Sequence, residues 1–175
     1  AEYMTKNLSY RIWVSFICAI CQLPEAKNLY QQLKLRLPNY VETFRKAVEN
    51  TPDRCVSFYA STIDLVTTVY KMEGTQWLHD NANIMSTLVK MTVDVKTTVK
   101  NSGFYFDHTQ LNLALNNFQE LYIDLIQNGP KESQTPYFMD FARCLFDSEL
   151  EPPDNFKALI SNKIVDSRTA DPEHS

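Results

Sequence analysis

The stretch from Asp107 to Pro130 carries a start signal, an apolar stripe and a stop signal in unbroken order, and it commits the chain to a helical fold. Asp107 places a carboxylate where it can accept the free amides of a first helical turn. Gly129-Pro130 supplies a residue tolerant of positive φ followed by one that cannot continue a helix. Between them Leu111, Ala114, Leu115, Phe118, Leu121, Tyr122 and Leu125 recur at spacings of three and four, with Asn116, Asn117, Glu120, Asp124 and Gln127 off the stripe. Leu113, Ile123 and Ile126 widen the apolar face beyond what one partner helix would cover. The spacing therefore predicts a central, two-sided helix.

The other fold classes lose ground on glycine. Only 3 occur in 175 residues, and the tight turns of β-hairpins and phosphate loops depend on them. With 44% hydrophobic and 22% charged residues, the chain has the composition of a packed globular domain rather than of a disordered one. Its length suits one core that buries roughly 70% of the unfolded surface. We read residues 1–166 as a single helical domain and 167–175 as a polar C-terminal tail. A formal charge of -4 gives no overall basic field to gather phosphate backbones or anionic lipid, so direct nucleic-acid binding would need a local patch. The longest apolar run, Ile12 to Leu23, is interrupted by Ser15 and Gln22 and is shorter than the roughly 20 residues of a bilayer span, so no membrane association is expected. The first residue is Ala1 and no basic-then-apolar leader follows it, which reads as a mature or excised domain of a longer parent.

Taken in order, the first helix is expected over about Thr5 to Gln22, deeply buried, because Ile12, Val14, Phe16, Ile17, Ile20 and Leu23 are apolar on more than one side. Pro24 opens a second helix with the stripe Ala26, Leu29, Tyr30, Leu33 and Leu37. Pro38 restarts the pattern as a short third helix with Val41, Phe44 and Val48 inward. Thr51-Pro52-Asp53 reads as cap, first helical position and dipole-facing carboxylate of a fourth, running to about Met72 with Val56, Tyr59, Ile63, Val66 and Tyr70 inward. A fifth follows Gly74 through Trp77, Ile84, Leu88, Met91 and Val95 to about Lys100. Thr92 to Val99 is β-branched and partly alternating, but no second strand exists to pair with it, and helix is the better reading. After the organising helix, Pro136 opens one helix with Phe138, Phe141, Ala142 and Leu145, and Pro152-Pro153 opens a last one with Phe156, Leu159, Ile160 and Ile164. About eight helices with short connections imply an all-α fold of stacked antiparallel hairpins, HEAT-like, with a compact helical bundle as the alternative.

Few residues invite chemistry. Cys18-Ala19-Ile20-Cys21 has a redox or metal spacing but neither a second pair nor a preceding strand, so these thiols, with Cys55 and Cys144, read as reduced core cysteines of an intracellular protein. His79, His108 and His174 read as solvated surface side chains. Asp140, Asp147 and Glu149 are explained by a charged helix face, and Asn7-Leu8-Ser9 is a chance-level glycosylation triplet. No catalytic motif, cofactor site or metal site emerges, and an enzyme is disfavoured. Phe104-Tyr105-Phe106 is the one candidate partner-binding feature: exposed, the trio would suit a protein contact, whereas folded back it plugs the gap under the organising helix, which is the favoured placement. Trp13 and Trp77 read as core residues first.

Three short pieces resemble the middle domain of translation-initiation scaffold proteins. Trp13-Val14-Ser15-Phe16-Ile17-Cys18 looks like a core helix of that family, Glu120-Leu121-Tyr122-Ile123-Asp124-Leu125 resembles another, and Val165-Asp166-Ser167-Arg168 stands where an acidic-leucine-arginine ending is usual. Ser167 replaces the leucine and the following tryptophan is absent, so no binding residue is carried over. The resemblance implies a HEAT-like stack that binds DEAD-box RNA helicases and other messenger-RNA factors in the cytoplasm. The function expected is thus a non-enzymatic protein-protein interaction scaffold in messenger-RNA translation or turnover. The alternative is a helical-bundle regulator that holds an amphipathic partner helix in a groove, of the cell-death or immune-modulator type. The letters leave open whether the apolar excess of the organising helix is covered within the chain or by a second copy in a homo-oligomer.

Overall fold

A computed structural model describes residues 2–128, with side chains from Tyr10 onward. The helices expected after Pro136 and Pro152, the stop at Gly129-Pro130, the domain end at 166 and the tail 167–175 lie outside the described residues, as do Cys144, His174 and the acidic trio Asp140, Asp147 and Glu149. The described residues form α1 (Glu2–Ile20), α2 (Lys27–Asn50), α3 (Cys55–Glu73), α4 (Thr75–Asp80), α5 (Ala82–Asn101) and α6 (His108–Asn128), with single 3-10 turns at Pro24–Ala26 and Pro52–Arg54. The fold is all-helical, with no strand among the described residues, and Thr92 to Val99 is helix. The helix count there is six rather than about eight.

Among the described residues the central element is α3 rather than α6. It packs against α1, α2, α5 and α6, and its buried residues include Cys55, Val56, Tyr59, Ala60, Ile63, Leu65, Val66 and Val69, which face more than one side. Its polar members are satisfied locally: the Thr62 and Thr68 hydroxyls donate to the Phe58 and Asp64 carbonyls at 2.8 Å. Tyr59 meets Thr92 of α5 at 2.8 Å. The Thr92 hydroxyl donates to the Leu88 carbonyl at 2.7 Å, so the Tyr59 hydroxyl is the donor to Thr92.

Aromatic and ionic pairs fix the directions. Trp13 meets Tyr40 and Tyr10 meets Phe44 edge-on, so numbering falls on α1 as it rises on α2, and the pair is antiparallel. Phe44 against Phe58 and the Lys34–Glu73 ion pair make α2 antiparallel to α3 as well. Arg11 ties α1 to Asp64 of α3 at 2.7 Å.

Several boundaries differ from those the letters predict. Pro38 does not restart a helix: α2 runs through it, because Leu33, Leu37, Val41, Phe44 and Val48 form one continuous buried stripe and the ring lies on the exposed side. The predicted fifth helix is two, broken at Asn81 (φ -114°, ψ 48°), whose side-chain amide donates to the Trp77 carbonyl at 2.8 Å. Thr51 makes no side-chain cap bond. Asp107 does cap α6, accepting the Gln110 amide at 3.0 Å. Gly74 closes α3 at φ 90°, a conformation that side chains other than glycine's rarely adopt.

Asp124 clamps the C-terminal half of α6 to the end of α3 and to α4. Its carboxylate accepts the Tyr70 hydroxyl, the Thr75 hydroxyl at 2.6 Å and the Asn128 amide at 2.6 Å. Burial would raise its pKa, but the bonds from Thr75, Tyr70 and Asn128 outweigh burial and hold it below the usual aspartate value. A depressed folded-state pKa gives stability that is fully present above the unfolded aspartate value and is lost as pH falls through the folded one. Asp124→Ala is therefore expected to cost about 1–2 kcal/mol at neutral pH and to show a shallower loss of stability on acidification than the parent. Urea titrations between pH 7 and pH 3 read both; parallel pH profiles would contradict the clamp.

Candidate functional site

Among the described residues, the region of α1 and α2 exposes several large apolar side chains. At about 100° per residue, Val14 and Ile17 of α1 share one arc and, with Cys21 just past the helix end, are buried against the core. Ile12 and Phe16 fall on the opposite arc and are exposed, at 67% and 59%, as is Leu23 in the extended connection beyond the helix. The first helix is thus not deeply buried as its letters suggest. It carries two apolar faces, and the described residues cover one.

Between α1 and α2 runs a groove of about 260 Å³ lined by Trp13, Ile17, Leu29, Leu33 and Tyr40, with Gln32 and Arg36 as its polar members. Ile17 and Leu33 are buried and form the floor, while Trp13 stands edge-on to Tyr40 at 5.5 Å and forms a wall. No acidic, histidine or cysteine side chain lines it. Its largely apolar lining suits contact with a protein surface. Its signal in the sequence is the surplus apolar arc of α1.

The predicted trio is divided. Phe106 is 5% exposed and plugs into the buried core, whereas Phe104 is 54% and Tyr105 94% exposed. Phe104 lies edge-on over Phe106 at 6.4 Å, so the plug anchors a loop that presents the other two rings to solvent. The trio sits between α5 and α6, on other elements than the groove.

Cys21 and Cys55 are buried and Cys18 is half-buried. Burial pushes all three thiols up, Cys55 to about 11, which leaves them protonated and unreactive at neutral pH. His79 is half-buried in α4 rather than solvated, and His108 is exposed in the first turn of α6. Among the described residues no group of three His, Cys, Asp or Glu side chains could hold a metal ion, and no helix is long and apolar enough to cross a membrane. The side chain of Asn7 lies outside the described residues.

No family model matches the chain. Among curated proteins it is similar to the SAGA complex/NuA4 acetyltransferase complex subunit TRA1 of Saccharomyces cerevisiae, with 30% identity over 174 residues. The match takes in 99% of this chain and 5% of that subunit, so the chain spans about 5% of the relative's length.

Proposed function

We propose that the chain is one stretch of a long, non-enzymatic helical scaffold that works inside a multi-protein acetyltransferase assembly. The observation that carries this reading is the similarity to a subunit of such complexes along 99% of the chain. The packing supports it: α6, α3 and α1 touch in sequence, α5 touches α2, and α3 bridges the two sets. Such contacts support a stack of HEAT-like hairpins in two rows, in which each unit would meet its neighbours and leave long surfaces free for partners. Exposed Phe104 and Tyr105, held by the buried Phe106, provide one such contact point.

Nothing besides the short sequence resemblance supports a place in messenger-RNA translation, an RNA-helicase partner or a cytoplasmic site of action. Capture of a lone amphipathic helix is the weaker reading, because the similarity is to a subunit of large multi-protein complexes.

The test is affinity purification of the natural polypeptide that carries this chain, followed by transfer of labelled acetyl groups from acetyl-CoA to a lysine-bearing peptide. Acetyltransferase activity should co-purify. A preparation that lacks it and instead contains RNA helicases would overturn this reading in favour of the messenger-RNA one.

A further inference from the structure

We infer that the loop between α5 and α6 is a preformed knob, in which Tyr105, backed by Phe104, enters a concave apolar pocket of another subunit of the assembly. The inference rests on the reading of the chain as part of a multi-subunit scaffold and names which end of it meets a partner, and through what chemistry.

The knob projects from an edge of the fold. Tyr59 near the start of α3 meets Thr92 in the second half of α5, whereas Asp124 near the end of α6 meets Tyr70 near the end of α3. With α2 antiparallel to α3, the connections 51–54 and 102–107 therefore lie at one end of the helices, and α4 lies at the other. Neighbouring units of a stack meet through helix faces, so connections of this kind stay on an open edge. The two connections differ in chemistry. Residues 51–54 turn Pro52 and Asp53 outward and no ring, whereas 102–107 holds Phe104 and Tyr105, the latter the most exposed large apolar side chain among the described residues.

The loop is tied at both ends and in the middle. The Ser102 amide donates to the Thr98 carbonyl and the Leu111 amide to the Asp107 carbonyl, each at 3.0 Å. The Phe104 amide donates to the Ser102 hydroxyl at 3.4 Å, and buried Phe106 holds the Phe104 ring edge-on at 6.4 Å. The rings are thus ordered before a partner arrives, and binding loses little further conformational freedom. An aromatic side chain fixed in water returns its hydrophobic free energy only when a partner covers it.

Shape and charge select that partner. A projecting ring fills a hollow, and the phenol hydroxyl, once enclosed, needs an acceptor there. The loop carries no lysine or arginine, and Asp107 offsets Lys100 before it. No positive field therefore gathers a phosphate backbone or an anionic membrane, although bare rings can stack on bases. Seating the loop of one copy in the α1–α2 groove of the next is a head-to-tail contact that extends into rings or filaments rather than a closed pair. The occupant is then a different polypeptide.

Photo-crosslinking in the natural polypeptide that carries this chain tests the knob. Tyr105→p-benzoyl-phenylalanine sets a photoreactive ketone at its tip, and Leu113→p-benzoyl-phenylalanine, on the exposed side of α6, is the control. After purification of the assembly and irradiation, the Tyr105 variant should give one discrete adduct with another subunit, in several-fold higher yield than the Leu113 variant. Adducts confined to the same polypeptide, to a second copy of it or to nucleic acid would overturn the inference, as would equal yields at the two positions. In the 175-residue chain alone, Phe104→Ala and Tyr105→Ala should leave the melting temperature unchanged and Phe106→Ala should lower it. A fall with Tyr105→Ala would make that ring part of the fold and not a free knob. An assembly that keeps acetyltransferase activity but gives no adduct from Tyr105 overturns the knob alone. A polypeptide that purifies without other subunits or activity overturns the scaffold reading and the knob with it.

Discussion

Phe118→Ala is expected to cost about 3–5 kcal/mol, the range for truncating a fully enclosed aromatic side chain. Phe118 is fully buried in the middle of α6, with its ring 5.0 Å from that of Tyr122. Tyr122 in turn donates its hydroxyl to the buried Met85 carbonyl at 2.8 Å. The cavity would therefore border a side chain whose hydrogen bond ties α6 to α5, so relaxation into the gap would strain that bond and partial collapse offers little relief. Leu113→Ala is the matched control: it removes a large apolar side chain from the exposed side of the same helix and should stay within about 0.5 kcal/mol of the parent. Denaturant unfolding of the two variants measures the difference. A cost below about 1 kcal/mol at Phe118 would contradict the packing of α6 described above.

α6 is also where the letters are most informative, and the reason is locality. A cap such as Asp107 and a stripe at spacings of three and four act within one or two turns, so the sequence contains all that is needed to place them. The predicted inward residues of α3 were legible on the same grounds, Tyr70 alone proving only half-buried. The failures are non-local. Nothing in α1 tells which of its two apolar arcs meets α3, and deep burial was read from a surplus that lies in solvent instead. The trio at 104–106 was read as one unit, but of the three only Phe106 is buried. Asn81 carries no glycine or proline to mark the break it makes. Its backbone amide and its side-chain amide both donate to the Trp77 carbonyl, a local side-chain bond that asparagine offers without announcing it. The groove was missed for the same reason as the outer face of α1, since it exists only where α1 and α2 come together.

Pro38 misled in the opposite direction, and it yields the second large effect: Pro38→Ala is expected to stabilise the chain by about 2 kcal/mol. Proline inside a helix costs about 3 kcal/mol relative to alanine, through a lost amide donor and a clash with the carbonyl four residues earlier, here that of Lys34. Alanine gives back roughly 0.4–1 kcal/mol of that gain, because proline also restricts the unfolded chain. The ring is exposed within α2, so no core contact is lost. For a chain of this length each kcal/mol moves the melting temperature by roughly 2–4 °C, which places the expected rise at about 4–8 °C. A melting temperature that falls would contradict the reading of Pro38 as an unfavourable residue in the interior of α2.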